Sequence, residues 1–574
     1  MTDRGCVALR RITRSFAATL LAVTIVPSPS AGQERPNQPE RNGRTLEWRM
    51  PVPPIQMPML PGMMAYRPPM TPFLPGIGVD PSSLPVARPR EVVNLADGDT
   101  LDLAAILVRR VINGKTFVMY GFNGQYPGPL IVVKQSATVV VNFTNRIDLP
   151  TTIHWHGVRL DNRFDGVPGV TQDPVLPGEN FVYQIHFPDP GIYWYHPHVR
   201  EDIQQELGLY GNMLVESPDP DYYNPVNREE VLILDDLFMD REEIVPFGEE
   251  AGNFSLMGRF GNLFLLNGEP DYHLNVKRGE VVRFLLTNVS NTRSYNVVFG
   301  DARMKVVGAD ISKFQREEWV ESVFIAPAQR YVIEARFDTP GEFAITNNVQ
   351  AINHVRGEFF ASVDTLGTIT VSDDPAEANY AGQFLALREN EDVIADIERF
   401  RPHFDRPPDH ELVLTLRLGE VPSIVVQFMS IDTTYFAPVE MNNAMPMMNW
   451  VSNAGNVRWI LREPATRREN MDIDWEFTQG DVVKIRLFND PNSIHPMGHP
   501  IHLHGQRLLV LERDGVRTRN LAWKDTAMIP TGSTVDLLVE MSNPGRWMMH
   551  CHIAEHLEAG MMMAFTVTPS DARN

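Results

Sequence analysis

The segment from residue 545 to residue 563 reads GRWMMHCHIAEHLEAGMMM and places one cysteine between two histidines. Thiolate and imidazole groups are typical ligands of transition metals. If the segment begins as a β-strand, its side chains alternate between two faces. His550 and His552 then share one face, and Cys551 points to the opposite face. Neighbouring residues of one strand are therefore expected to serve two metal sites on opposite sides of that strand.

Histidine clusters recur elsewhere in the chain. Ten of the 16 histidines fall into four clusters: His154 and His156; His196 and His198; His499, His502 and His504; His550, His552 and His556. On a strand, the two members of a His-x-His pair project to one side about 6.5–7 Å apart, which suits two adjacent metal ions better than one. Because imidazole suits copper, zinc, iron or nickel, the pairs alone do not identify the metal.

The single cysteine of the motif narrows the choice of metal. Two imidazoles, one thiolate and a weak axial thioether form the ligand set of a blue-copper electron-transfer site. The residues that offer this set are His499, His556, Cys551 and Met561. A structural zinc site more typically takes its ligands from a cysteine-rich loop. The only other cysteine, Cys6, lies in the N-terminal leader, so the mature chain is expected to form no internal disulfide.

The bonded neighbours of Cys551 give this arrangement a mechanistic consequence. If Cys551 binds one copper ion while His550 and His552 bind a cluster of ions, an electron at the blue copper has a short bonded path to the cluster. Such a cluster collects electrons one at a time for a multi-electron acceptor. Dioxygen, which is reduced to water by four electrons, is the acceptor that the arrangement favours.

Three versions of one strand–turn–strand unit recur along the chain. They are IVVKQSATVVVNFTN (131–145), LNVKRGEVVRFLLTN (274–288) and WEFTQGDVVKIRLFN (475–489). Each has a polar or glycine-containing turn and ends in asparagine, and a Pro-Gly pair with an aromatic strand follows about 50–60 residues later. Those strands are PGIYWYHPH (190–198), PGEFAITNN (340–348) and PGRWMMHCH (544–552). The repetition predicts an all-β fold of three tandem antiparallel β-sandwich domains.

The repeats also set the expected domain boundaries. We expect a leader over 1–31, a Pro/Met-rich linker over 32–90, sandwich domains over 91–220, 221–375 and 410–574, and a linker with some helix over 376–409. The second domain carries Asn347, Asn348 and the segment NVVFG (296–300) where the first and third domains carry histidine pairs. It therefore keeps the fold without the ligands, and metal ions are expected where the first and third domains meet.

The leader and the net charge indicate where the protein works. Four arginines form a basic region, an apolar run extends over 16–26, and PSPSAG supplies small residues for cleavage. The apolar run is too short to span a bilayer, and the twin arginine Arg10–Arg11 leaves export of a folded protein open. We expect a periplasmic or secreted protein without a membrane span. Its net charge of −21 argues against nucleic acids and anionic membranes as partners.

These motifs closely resemble those of the multicopper oxidases, the family of laccases and bacterial copper-efflux oxidases. The similarity also includes FNGQYPGPLI (122–131) and FDGVPGVTQDPVLPG (164–178). It implies cupredoxin-like Greek-key domains, dioxygen as acceptor, and one type 1, one type 2 and two type 3 copper ions. By this resemblance the type 1 ion takes His499, Cys551, His556 and Met561, the type 2 ion takes His154 and His502, and the type 3 ions take His156, His196 and His552, and His198, His504 and His550.

Reduction of dioxygen also needs protons, which carboxylates near such sites usually carry. Asp165, in the FDG segment, matches the position of the acid that lies beside the copper ligands in the family. Many bacterial relatives place a carboxylate directly after the last type 1 histidine, where this chain has Leu557. Glu555 or Glu558 is expected to substitute, and Glu555 is the first candidate. The alternative is that both belong to a solvated helix face.

The electron donor stays open between two classes. A laccase-like oxidase of phenols and aromatic amines needs an open apolar pocket beside His499 or His556. A metallo-oxidase of Cu(I), and also of Fe(II) or Mn(II), is favoured by methionine-rich stretches and by His495 and Met497 as candidates for metal delivery. These stretches are MNNAMPMMNW (441–450) and the segment with Met57, Met59, Met63, Met64 and Met70.

Laccase-like activity is the leading prediction, with cuprous oxidation as the alternative. A non-enzymatic copper scaffold would not need every ligand of a multi-ion cluster. A copper nitrite reductase would lack the type 3 ligands. Both are therefore disfavoured by the complete ligand set.

Overall fold

Alternating apolar residues form β-strands through most of the chain. The computed structural model describes residues 72–248, 251–353, 358–419, 439–441, 457–493 and 495–570. Within these ranges three β-sandwiches, each of two sheets, follow one another along the sequence. Clusters of buried apolar side chains fill them. This architecture confirms the predicted all-β, cupredoxin-like fold.

The first sandwich has one sheet in the strand order β1-β4-β9-β8-β6 and a second in the order β3-β2-β5-β7. Its strands are β1 (Val92–Leu95), β2 (Thr100–Ile112), β3 (Lys115–Phe122), β4 (Leu130–Lys134), β5 (Thr138–Arg146), β6 (His154–His156), β7 (Asn180–His186), β8 (Gly191–His196) and β9 (Gly211–Glu216).

The second sandwich has sheets in the orders β13-β10-β15-β20-β17-β18 and β14-β22-β21-β16-β19, with β24 added beside β21 and a hairpin of β11 and β12. Its strands are β10 (Arg228–Leu237), β11 (Met239–Asp240), β12 (Glu243–Ile244), β13 (Leu263–Leu266), β14 (Tyr272–Arg278), β15 (Glu280–Asn288), β16 (Tyr295–Phe299), β17 (Arg303–Ala309), β18 (Ser312–Val320), β19 (Val323–Ile325), β20 (Arg330–Phe337), β21 (Gly341–Asn353), β22 (Glu358–Pro375) and β24 (Val439–Met441).

The third sandwich has sheets in the orders β25-β23-β27-β32-β29-β30 and β26-β34-β33-β28-β31. Its strands are β23 (His410–Leu418), β25 (Val457–Arg462), β26 (Asp474–Thr478), β27 (Val482–Asn489), β28 (His499–Leu503), β29 (Arg507–Arg513), β30 (Val516–Arg517), β31 (Thr526–Ile529), β32 (Thr534–Glu540), β33 (Gly545–Cys551) and β34 (Met562–Thr568). Short helices join these elements: α1 (Glu201–Gln204), α2 (Ala251–Met257), α3 (Ala381–Leu385), α4 (Glu391–Glu398) and α5 (Ala554–Glu558).

Each predicted repeat unit links the two sheets of its sandwich. The first strand of the unit (β4, β14 or β26) belongs to one sheet, and the second (β5, β15 or β27) belongs to the other. The turns between them contain Ser136, Gly279 and Gly480, whose φ angles of 70°, 81° and 94° lie in the left-handed region. Glycine adopts this region at little cost, which explains why two of the three turns carry it.

The asparagine that ends each unit ties the following loop to the sandwich. Asn145 donates from Nδ2 to the carbonyl oxygens of Leu149 and Val175 at 2.9 and 2.8 Å. Asn288 makes the same kind of pair at 2.7 and 3.0 Å, and Asn489 makes it at 2.6 and 3.0 Å. All three are buried, so no water replaces them as partners of these carbonyl groups.

Several predicted segments lie outside the described residues. They are the leader (1–31), the part of the 32–90 linker up to residue 71 with its methionines, and residues 442–450 of the second methionine-rich stretch. Residues 72–90 are described, and there the backbone of the buried Phe73 pairs with Phe247. The 376–409 linker contains α3 and α4. None of the helices in the described ranges is long and apolar enough to cross a bilayer.

We predict that Asn288→Ala lowers the free energy of unfolding by about 2–4 kcal/mol, because two buried carbonyl groups lose their donor. Denaturant unfolding of the purified protein measures this difference. Asn348→Ala, at an exposed position of β21 in the other sheet of the same sandwich, is the matched control and is expected to change stability by less than about 0.5 kcal/mol. Equal effects of the two substitutions would contradict the structural role of the buried asparagine.

Candidate metal centre

Antiparallel pairing brings the histidine pairs face to face. β6 pairs with β8, so that His154 lies opposite His196. β28 pairs with β33 in the third sandwich, and His502 lies opposite His550. The equivalent strands of the second sandwich are β16 and β21, where Asn347 stands in place of a histidine. The same frame therefore occurs three times, and it carries imidazoles in two of them.

Side chains of the first and third sandwiches converge in compact groups. Within each group, the ligand atoms of the buried residues lie within 4.8 Å of one another. The cluster groups are His154, His156 and His502; His156, His196 and His552; His198, His504 and His550; and His154, Asp165 and His504. The cysteine group is His499, Cys551 and His556.

The cluster groups form one continuous nest of imidazoles. The ring centroids of His156 and His502 are 3.8 Å apart, and those of His154 and His504 are 4.0 Å apart. His504 Nε2 lies 3.0 Å from His550 Nε2. Because two neutral imidazoles have only one N–H each, several such nitrogens facing one another are the arrangement that metal ions bridge.

The cysteine group lies on the other side of β33. Cys551 Sγ is 3.5 Å from His499 Nδ1 and 3.8 Å from His556 Nδ1, and the two Nδ1 atoms are 3.3 Å apart. The structure thus brings together every histidine and the cysteine of the predicted ligand set. Met561 is buried in the same apolar cluster as Cys551 and donates from its backbone N–H to the His556 carbonyl at 3.0 Å. Its role as axial ligand stays a prediction.

Burial sets the protonation of these groups. It lowers the imidazole pKa, with a further contribution from neighbouring imidazoles at most of these residues: His156, His196, His198, His499, His502, His504, His550, His552 and His556. The rings are therefore neutral at physiological pH, which is the form that binds metals. Burial also raises the pKa of the Cys551 thiol, so a cation is needed to stabilise its thiolate.

The unpartnered nitrogens test whether a metal fits. Buried ring nitrogens without a hydrogen-bond partner within the protein occur at His154 Nε2, His156 Nδ1, His196 Nε2, His198 Nε2, His502 Nε2 and both nitrogens of His552. An unsatisfied buried polar atom costs free energy, and so many in one place point to a missing partner. Neutral imidazoles with one buried thiol match copper, since soft sulfur and imidazole nitrogen both suit this metal.

Asp165 holds two of the imidazoles. Its Oδ2 accepts from His504 Nδ1 at 3.0 Å, and its backbone carbonyl accepts from His154 Nδ1 at 2.8 Å. Each bond places the ring proton on Nδ1 and leaves Nε2 for a metal. Asp165 therefore lies where the sequence places an acid beside the ligands, and its part in proton transfer stays a prediction.

Glu555 and Glu558 are buried on α5, so the alternative of a solvated helix face is wrong. Thr292 donates to Glu555 Oε2 at 2.9 Å. Burial, together with nearby Asp202 and Glu206, raises the pKa of Glu555 to about 8. Burial, again with Asp202, also raises the pKa of Glu558 to about 8. Both carboxyl groups are therefore protonated at neutral pH and can hold a proton close to the metal groups.

Sequence reasoning missed two other carboxylates. Glu201 begins α1, and its Oε1 lies 3.2 Å from His198 Nδ1. Asp525 lies just before β31, and its Oδ1 accepts from His156 Nε2 at 3.1 Å. The position of Glu201, three residues after His198, was a usable signal because a helical turn brings such residues together. Asp525 follows the ligand strand by more than twenty residues, so only the pairing of β31 with β28 reveals it.

Comparison with known proteins agrees with this geometry. Three family models described as multicopper oxidase match residues 108–220, 229–372 and 441–571. The chain is 26% identical to Laccase-2 of Fomitopsis schrenkii, over 78% of this chain and 86% of that protein. It is 25% identical to the iron transport multicopper oxidase FET3 of Gibberella zeae, over 78% and 72%.

A solved structure shows the same likeness over the whole fold. The multi-copper oxidase of Pseudomonas thermotolerans is 25% identical, with a TM-score of 0.60 over 83% of this chain and 100% of that one. Because the matched family models together span most of the sequence, the chain belongs to the multicopper oxidase family and is a copper-dependent oxidoreductase that uses dioxygen.

Proposed function

We propose that the chain takes electrons singly at the cysteine group and reduces dioxygen to water at the cluster groups, with one type 1, one type 2 and two type 3 copper ions. The observation that carries this proposal is the position of Cys551, the last residue of β33, between His550 and His552, which links the two kinds of group through bonds. Type 1 copper is assigned to His499, Cys551, His556 and Met561; type 2 copper to His154 and His502; type 3 copper to His156, His196 and His552, and to His198, His504 and His550.

Copper, when bound, supplies one-electron redox chemistry at the first site and a multi-electron store at the second. The protein residues keep both sites dry and fix the rings. At the end of β33, Cys551 faces the cysteine group and its two bonded neighbours face the cluster groups. Burial of all these side chains keeps water from the path. An exported location, periplasmic or secreted, stays our prediction from the leader.

The electron donor is restricted by the burial of the cysteine group. His499 and His556 both have 0% exposed surface. Trp459 lies against them, with its ring centroid 4.1 Å from that of His556, and its indole N–H donates to the Ser255 carbonyl of α2 at 2.8 Å. The laccase-like prediction needs an open pocket at these rings, so this covering favours the alternative, a small donor such as Cu(I) or Fe(II). Relatives named as a laccase and as an iron transport oxidase support both classes.

Proton supply is assigned to the buried carboxyl groups. Three of them contact cluster histidines. Glu201 lies 3.2 Å from His198, Asp165 bonds to two further rings, and Asp525, which is held by Arg330, bonds to His156. Glu555 has no bond to a cluster histidine among the described contacts: its oxygens accept hydrogen bonds from Thr292 and Asn291. It is therefore assigned a proton-holding role one step farther from the cluster. Many bacterial relatives carry a carboxylate at the position of Leu557. We infer that Glu201 performs its role in this chain and that Glu555 and Glu558 supply protons to Glu201.

Cys551→Ser tests the electron path. Serine oxygen is a poor ligand for this metal, so the variant is expected to lose its blue absorption and about one of about four copper ions, and to stop donor-driven oxygen uptake. Copper analysis, visible spectroscopy and an oxygen electrode measure these effects. Met563→Leu, a buried substitution of similar volume, is the control. Blue absorption that survives in Cys551→Ser would refute the assignment.

The donor is tested by measuring oxygen uptake with Cu(I) and with a methoxyphenol. We expect the Cu(I) rate to be about tenfold higher or more, because the bulky donor cannot reach the covered rings. Trp459→Leu opens space beside His556 and is expected to raise the phenol rate selectively. Trp475→Leu, at a buried position beside Phe477, is the control. A phenol rate that dominates in the wild type would restore the laccase-like prediction.

Glu201→Gln tests the proton supply. Removal of an acid next to the cluster is expected to slow dioxygen reduction by about 10²-fold or more, while the blue site is reduced by the donor at an unchanged rate. Stopped-flow absorption separates these two steps. Glu216→Gln on β9, which is partly exposed, serves as control. A larger loss in Glu555→Gln than in Glu201→Gln would make Glu555, and not Glu201, the main proton source for the cluster.

A further inference from the structure

Arg330 lies where the three sandwiches meet. It is the first residue of β20, in the second sandwich, and it is fully buried. Its Nε donates to the Ile192 carbonyl of β8 in the first sandwich at 3.0 Å. Its two terminal nitrogens donate to Asp525, which lies in the third sandwich. One side chain therefore bonds to both of the sandwiches that supply the histidines.

The pair with Asp525 has a forked geometry. Arg330 Nη1 lies 2.8 Å from Oδ1, and Nη2 lies 2.6 Å from Oδ2. Both partners have 0% exposed side chains. Two parallel charge-assisted hydrogen bonds fix the plane and the direction of the carboxylate as well as its position. Removal of Arg330 would leave the buried carboxylate of Asp525 without its forked partner, whereas Arg330 itself has a second, longer contact of 3.7 Å with Asp310.

The same carboxylate then orients the cluster. Asp525 Oδ1 accepts from His156 Nε2 at 3.1 Å and from Thr526 Oγ1 at 2.8 Å. The backbone carbonyl of Asp525 lies 3.1 Å from His502 Nδ1. These bonds leave His156 Nδ1 and His502 Nε2 for the metal, and both atoms are without a partner in the protein.

Little room is left for this junction to rearrange. Gly157 follows His156 and has a φ of +83°. A Cβ atom built there would lie 2.6 Å from Arg330 Nη2 and 2.6 Å from Asp525 Oδ2. Because packed junctions do not deform continuously, the position of Arg330 is passed on to the two rings.

We propose that Arg330 is a positioning residue for the cluster: through Asp525 it aims His156 and His502, so that the sandwich without metal ligands controls how tightly the cluster holds copper. This inference rests on the proposed function for the assignment of type 2 and type 3 copper. It assigns to the second sandwich a part in the metal centre that its lack of histidine pairs at the ligand positions conceals.

The test is copper retention by the full-length holoprotein of Arg330→Met during titration with a chelator. The type 2 signal in electron paramagnetic resonance reports the cluster, and the blue absorption reports the cysteine group. Loss of an orienting partner is expected to weaken retention of type 2 copper by about 10–100-fold, with the blue absorption retained. Arg283→Met is the matched control: Arg283 is buried in the same sandwich and donates to Glu334 at 2.8 Å.

Arg330→Lys keeps the positive charge and removes the forked pair of hydrogen bonds. Its retention of type 2 copper is therefore expected to lie between those of wild type and Arg330→Met. It also decides the question if Arg330→Met does not fold. Retention equal to wild type in the folded variants, or equal losses in Arg330→Met and Arg283→Met, would overturn the positioning role. A wild-type protein that retains copper but takes up no oxygen would instead overturn the proposed function and leave the retention comparison valid.

Discussion

The metal centre depends on the removal of the eight imidazoles of the cluster groups from water with their ring nitrogens turned towards one another. Burial lowers the pKa of seven of these rings, which are therefore neutral at physiological pH, and six of the eight rings carry a nitrogen without a hydrogen-bond partner in the protein. Such a nest is unfavourable by itself, since desolvated acceptors without donors cost free energy. Bound cations remove this cost, so metal binding and the stability of the junction between the first and third sandwiches are coupled.

The second sandwich carries none of the predicted metal ligands, yet its residues contact the groups around the metal centre. Its Asn291 and Thr292 bond to Glu555 of α5, and its Arg330 bonds to Asp525, which in turn bonds to His156. Its helix α2 holds Trp459 over the cysteine group. These contacts link the second sandwich to a carboxyl group on α5, to a partner of the cluster histidines and to the covering of the cysteine group. The second sandwich therefore supports the two ligand-bearing sandwiches and positions groups around the metal centre. A domain that only separated the other two would not need these contacts.

The sequence predicts those parts of the centre that depend on local periodicity. His-x-His pairs share a face because strand side chains alternate, so the four pairs and Cys551 are visible without a structure. Glu201, Asp525 and Arg330 are different, because their importance arises from contacts between elements distant in sequence. The sequence shows that Leu557 stands where many relatives carry an acid, but it does not show that Glu201 lies next to a cluster histidine. The sequence did not predict the burial of Glu555 either. A helical turn with two glutamates is typical of a solvent-facing surface, and only the contacts with Asn291 and Thr292 of the second sandwich show that it is covered.

The link between the two kinds of site is a consequence of strand register. On β33, His550 lies opposite His502 of β28 on one side and opposite Met562 of β34 on the other. A slip by one residue would turn every side chain of this strand to the other face. It would carry Cys551 into the cluster and both histidines out of it. The pairing of β33 with β28 and β34 thus specifies which residues face the cluster. The proposed electron path then needs only the covalent bonds between Cys551 and its two neighbouring histidines.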